Sequence, residues 1–158
     1  MKIKAVDHVA LTVPDLQEAT RFFEQVFDGK IMVDGPSEVE AAWAGPWAET
    51  AFGLPEGGVV TARRVMNIGG TTNIELFCFN GTTHQRPAHT YDYGLQHFAV
   101  RVESLSEVAR RILLAGGKLY ADPGTVEAVR NGQGPEKGWM YVETPWGSVI
   151  ELVTFKEA

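Results

Sequence analysis

Apolar and polar positions alternate from Val6 to Val13, placing Val9, Leu11 and Val13 on one face and His8, Ala10 and Thr12 on the other, which predicts a strand. The period then lengthens to that of a helix. Leu16, Ala19, Phe23, Val26 and Phe27 form one apolar stripe. Asp15 is placed to cap it, with Glu18 three residues on as a capping-box partner, and Asp28-Gly29 to stop it. A short strand follows from Lys30 to Asp34. Residues 35–57 are irregular and rich in Gly and Pro, but carry Trp43, Trp47 and Phe52. That stretch is either a functional lid or a loop or short helix whose aromatics anchor it to the core or a second subunit. Strands are then expected at Val59 to Met66 and Thr72 to Phe79.

After a connection at 81–94 the pattern restarts. Gln96 to Val102 reads as a strand, with Phe98, Val100 and Val102 opposite His97, Ala99 and Arg101. Ser104 caps a second helix with Glu107 as its capping-box partner, Leu105, Val108, Ile112 and Ala115 give its stripe, and Gly116-Gly117 stops it. Strands at Lys118 to Asp122, Trp139 to Glu143 and Ser148 to Phe155 complete the copy, with a Gly/Pro-containing loop at 123–137 between the first two. Aligning His8 with His97 brings Val13 onto Val102, Asp15 onto Ser104 and Leu16 onto Leu105. The chain therefore reads as one domain over 1–158 built from two β-α-β-β-β modules, 1–80 and 95–158.

Each module closes on the same oddity. In Asn73-Ile74-Glu75-Leu76-Phe77 and in Val149-Ile150-Glu151-Leu152-Val153, a carboxylate stands in the middle of an apolar strand. Strand geometry sends Glu75 and Glu151 to the face opposite their Ile and Leu neighbours. A charge in mid-strand is costly to bury unless something pairs with it or coordinates it. The Ile/Leu side suits helix packing, so His8, Glu75, His97 and Glu151 are assigned to the concave side of the sheet. Cys78 falls on the core side and reads as an inert thiol.

Composition narrows the functions. A net charge of −6 speaks against nucleic acid or an anionic membrane as partner. A single cysteine rules out an internal disulfide and a cysteine-rich zinc site. The opening Met1-Lys2-Ile3-Lys4-Ala5-Val6 lacks the apolar run of a signal peptide and there is no membrane-length apolar run, so a cytoplasmic protein is expected. Two imidazoles and two carboxylates are a natural ligand set for a divalent metal, with zinc, nickel, cobalt, manganese and iron all accepting such donors.

The order Asp7-His8-Val9-Ala10, Val13-Pro14-Asp15, Ile74-Glu75-Leu76, Gly94-Leu95-Gln96-His97 and Trp146-Gly147-Ser148-Val149-Ile150-Glu151-Leu152 resembles the vicinal oxygen chelate superfamily. Glyoxalase I, methylmalonyl-CoA epimerase, extradiol dioxygenases and the bleomycin and fosfomycin resistance proteins are its best-known members. The resemblance implies an α+β fold, with paired βαβββ modules forming a cupped mixed sheet around one metal, commonly as a homodimer. It implies that His8, Glu75, His97 and Glu151 are the metal ligands, a set nearest to that of glyoxalase I. Extradiol dioxygenases and fosfomycin-type thiol transferases use two His and one Glu, so Glu75 argues against both. A metal-dependent lyase or isomerase acting on a small enolisable carbonyl substrate is then expected, working through a metal-stabilised enediolate or enolate. Glu151, and after it Glu75, is the expected base. The alternative is a non-catalytic protein that sequesters a drug or metabolite, as the bleomycin resistance members do.

Substrate-binding candidates are Arg101, Phe77 and Thr12, all on the inferred site face. Thr12 stands where glyoxalase I has an arginine, which argues against glutathione as thiol carrier. Arg101 offers a bidentate contact to a carboxylate or phosphate, and Arg63 or Arg64 could join it. The plainer reading of Arg63 and Arg64 is a pair of solvated strand-end arginines.

Overall fold

The computed structural model describes residues 2–36, 41–121 and 137–155. The chain divides into two compact units, Met1–Gln85 and Arg86–Ala158, the boundary falling within the stretch 81–94. The first unit holds β1 (His8–Thr12), α1 (Leu16–Phe27), β2 (Lys30–Asp34), α2 (Pro46–Phe52), β3 (Val59–Ile68) and β4 (Thr72–Asn80). The second holds β5 (His97–Arg101), α3 (Leu105–Leu114), β6 (Lys118–Leu119), β7 (Lys137–Glu143) and β8 (Val149–Phe155). Each unit has a four-stranded mixed sheet, ordered β1-β4-β3-β2 in one and β5-β8-β7-β6 in the other. The outer pair β1–β4, and its counterpart β5–β8, is parallel, while the remaining pairs are antiparallel. This is an α+β fold. No helix among the described residues is long and apolar enough to cross a membrane.

The helices arise where the sequence predicts them. The Asp15 side chain accepts from Glu18 N at 2.7 Å, and Ser104 Oγ from Glu107 N at 3.3 Å, each satisfying an otherwise orphaned first-turn donor. α1 buries Leu16, Ala19, Phe22, Phe23, Val26 and Phe27, and packs on β3 and β4, whose Met66, Ile68, Ile74 and Leu76 are buried in turn. Removing each such large side chain from water contributes roughly 1.5–3 kcal/mol. Phe22 joins this stripe beyond the residues the periodicity gives, its ring edge-on to Phe23 at 5.5 Å. α3 does the same with Leu105, Ala109 and Ile112.

Most strand ends fall within two residues of those expected, and some differences are larger or change a residue's role. Asp28, not Gly29, takes the left-handed conformation that ends α1, with φ of 53°. Gly29 is needed for space instead: a Cβ there would lie 3.0 Å from Phe23 O. β6 pairs only over Lys118 and Leu119 and does not continue to Asp122. β7 starts at Lys137, and the expected loop before it falls, over 122–136, outside the described residues. The irregular stretch 35–57 contains α2, which starts at Pro46 without a side-chain cap. It is fastened to β3 by reciprocal backbone hydrogen bonds between Trp43 and Val60, at 3.0 and 2.9 Å.

Candidate functional site

In the first unit the parallel register sets His8 opposite Asn73 and Ala10 opposite Glu75. Only a methyl group therefore stands directly beside the Glu75 carboxylate, and the His8 ring leans across the diagonal to reach it. His8 Nε2 lies 3.0 Å from Glu75 Oε2. The other ring nitrogen, Nδ1, donates to Asp7 Oδ2 at 3.0 Å, which leaves the Nε2 lone pair free to act as a donor atom. The second carboxylate oxygen of Glu75, Oε1, accepts from Arg63 Nε. Glu75 is only 8% exposed, and the Arg63 guanidinium offsets the cost of holding its charge there.

The second unit repeats the register residue for residue. His97 stands opposite Val149 and Ala99 opposite Glu151, so an alanine again flanks the carboxylate and the histidine crosses the diagonal. His97 Nε2 lies 3.6 Å from Glu151 Oε2. The surroundings differ. Among the described residues no acid sits behind this ring, and its buried Nδ1 has no hydrogen-bond partner. Tyr141, directly across from Glu151, packs edge-on to the His97 ring at 5.0 Å, and Trp139 packs against Tyr141.

The Arg63 guanidinium has a counterpart by position. Arg63 pairs across the sheet with Phe77, two residues beyond Glu75, and Trp139 pairs with Val153, two beyond Glu151. One unit thus presents an arginine where the other presents an indole. Arg64 is different again: it points to the helix side of β3, where it is bidentate to Asp34 and donates to Thr20 Oγ1 at 2.7 Å and to Gln17 at 3.3 Å. Neither arginine is a solvated strand end. Alternation alone puts Arg63 on the Glu75 face, but no sequence signal says that its side chain turns to the carboxylate.

The three substrate-binding candidates are dispersed along the strands. Thr12 is exposed at the end of β1, opposite Phe77. Arg101 ends β5, its guanidinium 5.2 Å from the centre of the Phe155 ring, a cation–π placement at the strand end. Phe77 belongs to an aromatic row that the sequence reading did not assemble. Phe79 stacks on it at 5.5 Å, Phe52 of α2 meets its other side at 5.9 Å, and Trp43 stacks on Phe52 at 5.7 Å. The expected anchoring role of the 35–57 aromatics is thereby realised through α2. Trp47 is nonetheless 56% exposed and Phe52 36%. His84 bonds with Phe79 O at the end of β4 and with Thr82 Oγ1, and His89 stacks on Tyr91. Burial, and next the charge of Asp15, pushes the Cys78 thiol up, so this side chain is a poor nucleophile at neutral pH.

Each unit alone offers two metal donors, and among the described residues no three His, Cys, Asp or Glu side chains gather into a cluster able to hold an ion. The donor chemistry of the pairs still fits a divalent cation. Each pair sets one imidazole Nε2 beside one carboxylate oxygen, and in the first unit both donors carry an outer partner, Asp7 behind His8 and Arg63 behind Glu75. Outer partners of that kind fix ring orientation and tautomer in metal sites.

Comparison with known proteins places this geometry. The family model for the Glyoxalase/Bleomycin resistance protein/Dioxygenase superfamily matches residues 5–152. A 2-epi-5-epi-valiolone epimerase from Actinomyces sp. is 34% identical over 154 residues, covering 94% of this chain and 78% of that protein. The crystal structure of a glyoxalase family protein from Bacillus cereus matches with a TM-score of 0.79 at 23% identity, covering 99% of this chain and 97% of that one. A genomically encoded fosfomycin resistance protein from Listeria monocytogenes, solved with Mn(II) and sulfate, matches with a TM-score of 0.58 at 19% identity, covering 98% and 95%. The two structural likenesses are likenesses of fold.

Proposed function

Because the chain belongs to the glyoxalase/bleomycin resistance protein/dioxygenase superfamily, we propose that it is a metal-dependent isomerase or lyase of a small enolisable carbonyl compound, epimerisation being the first reaction to test. The observation that carries this reading is the matched pair of pairs: His8 with Glu75 and His97 with Glu151, in identical register and each beside an alanine. A fold needs neither a histidine nor a glutamate at these four places. Their duplication makes sense if His8, Glu75, His97 and Glu151 together hold one divalent ion, of zinc, nickel, cobalt, manganese or iron. The name of the Actinomyces relative supports epimerisation, and the manganese in the Listeria structure supports a divalent ion.

When bound, the ion supplies Lewis-acid stabilisation to negative charge on a substrate oxygen. The residues of the chain do the rest. Inverting a centre next to a carbonyl needs a proton taken from one face of the carbon and one delivered to the other, so a carboxylate on one side takes the first and a second group on the opposite side supplies the other. Glu151 is the assigned base, and Glu75 the second candidate. Phe77, with Phe52 and Phe79 around it, supplies an apolar wall that excludes water from the reacting carbon, while Arg101 and Thr12 contribute polar contacts to the substrate. We also take the protein to work in the cytoplasm as a homodimer, which sedimentation of the purified chain would check.

The deciding experiment couples metal analysis of the purified protein to proton exchange. Uptake of deuterium from heavy water is followed at the carbon next to the carbonyl in 2-epi-5-epi-valiolone, in hemithioacetals and in acyl-CoA epimers. Bound metal with metal-dependent exchange on one of these supports the reading. Absence of metal after reconstitution, together with tight binding of an apolar ligand, supports the other reading, sequestration of a drug or metabolite, which the exposure of Trp47 and Phe52 favours.

A further inference from the structure

We propose that Arg63 is a positioning residue: it pins Glu75 as a fixed carboxylate of the ligand set. This rests on the metal-dependent reading above. The evidence lies in how differently the two glutamates are held. Glu75 is held at Oε1 by the Arg63 Nε–H, while Oε2 lies beside His8 Nε2 at 3.0 Å, next to the other donor atom of its pair. Its side chain is 10% exposed, and that of Arg63 is 24% exposed, so this ion pair is shielded from the water that weakens a surface pair. A carboxylate with one oxygen held by a guanidinium is restrained in rotamer and presents its other oxygen in one direction. Charge-assisted bonds from a guanidinium hold that geometry more firmly than neutral ones.

Glu151 has no such grip. Among the described residues its only ion-pair partner is His97, at 3.6 Å, and its side chain is 21% exposed. The position that corresponds to Arg63 is Trp139, which offers no second cation. Across the sheet, Tyr141 stands beside Glu151 where Val65 stands beside Glu75. Two carboxylates in the same register have thus been given unlike supports, and that of Glu75 suits it to staying in place. The sign of this difference also assigns the arginine. A guanidinium committed to Glu75 is not free to clamp a carboxylate or phosphate of the substrate.

Titration with Mn(II) alone tests the assignment without any substrate, free manganese being read from its paramagnetic resonance signal. Wild type, R63M and R63K are compared, and the visible spectrum of the Co(II)-loaded proteins reports ligand geometry. R63M is expected to bind Mn(II) about 10–100-fold more weakly, as loss of an outer-shell partner does. Its Co(II) spectrum should change, and R63K, which keeps the charge but not the fork, should recover part of both. Thermal unfolding of the metal-free proteins shows that each variant is folded, and R63K supplies the reading if R63M is not. Equal Mn(II) affinity and identical Co(II) spectra in wild type and both variants overturn the assignment while leaving the metal-dependent reading intact. Failure of the wild type itself to take up either ion overturns that reading and this one with it.

Discussion

Asp7 and His8 are sequence neighbours that act as a unit: the Asp7 carboxylate accepts from His8 Nδ1 at 3.0 Å, which fixes the ring with Nε2 on the side of Glu75, 3.0 Å from its Oε2. Among the described residues nothing equivalent stands behind His97, whose Nδ1 is buried without a partner there. Asp7→Ala should therefore loosen a divalent ion by about tenfold, the lower end of the usual outer-shell effect, because Asp7 is itself mostly exposed. Chelator competition on the variant measures this, and an unchanged affinity would show that the ring orientation is held by the strand alone.

The two carboxylates should respond differently to the same isosteric change. Glu151→Gln is expected to abolish proton exchange into the substrate while retaining some metal. Glu75→Gln is expected to lose metal first, since it strands the Arg63 charge in a shielded position. Metal content and deuterium uptake, measured on both variants, separate the effects. Unchanged turnover in E151Q would remove Glu151 from the role of base.

Arg64 contributes to stability rather than chemistry. It is buried on the helix side of β3, and Asp34, directly opposite on β2, neutralises it. Asp34→Ala leaves a buried guanidinium with only Thr20 and Gln17 to bond, and should destabilise the fold by about 3 kcal/mol, at the low end for a broken buried pair because Asp34 is partly exposed. A fall in the denaturant midpoint at unchanged slope would register this, whereas metal affinity should not move.

Cys78 gives a pH test. Burial raises its pKa, so the thiolate is scarcer than in a free cysteine at the same pH. Alkylation by iodoacetamide should be slow at pH 7–8, and its rise with pH should come above the range of a free thiol, near 8.5. A rate matching free cysteine at pH 8 would contradict the buried placement.

The sequence made the pairs legible because a period of two fixes the face of every strand residue and the repeat fixes which strands correspond. His8, Glu75, His97 and Glu151 followed from those two facts. What it could not convey were properties of contact rather than of period. Arg63 and Arg64 are adjacent and chemically identical, yet one turns to Glu75 and the other to Asp34. That outcome depends on which groups β2, β4 and α1 bring alongside. For 35–57 the sequence left a loop or a short helix open as alternatives to a lid, because α2 is short, lacks a side-chain cap and draws its place from aromatic contacts with Phe77. The left-handed turn at Asp28 went to an acid because the neighbouring glycine was needed where Phe23 O leaves no room for a Cβ.

The rung that holds Arg63 in one unit and Trp139 in the other has an evolutionary consequence. The strand register that joins each histidine to its glutamate is set by backbone pairing and is the same in both halves, so it does not depend on what occupies that rung. Substitution at 63 or 139 can retune one carboxylate while its twin, 76 residues away along the chain, stays as it was. Duplication thus supplies this lineage with two independent dials on a shared chassis, and new reactivity becomes reachable by single changes that leave the architecture untouched.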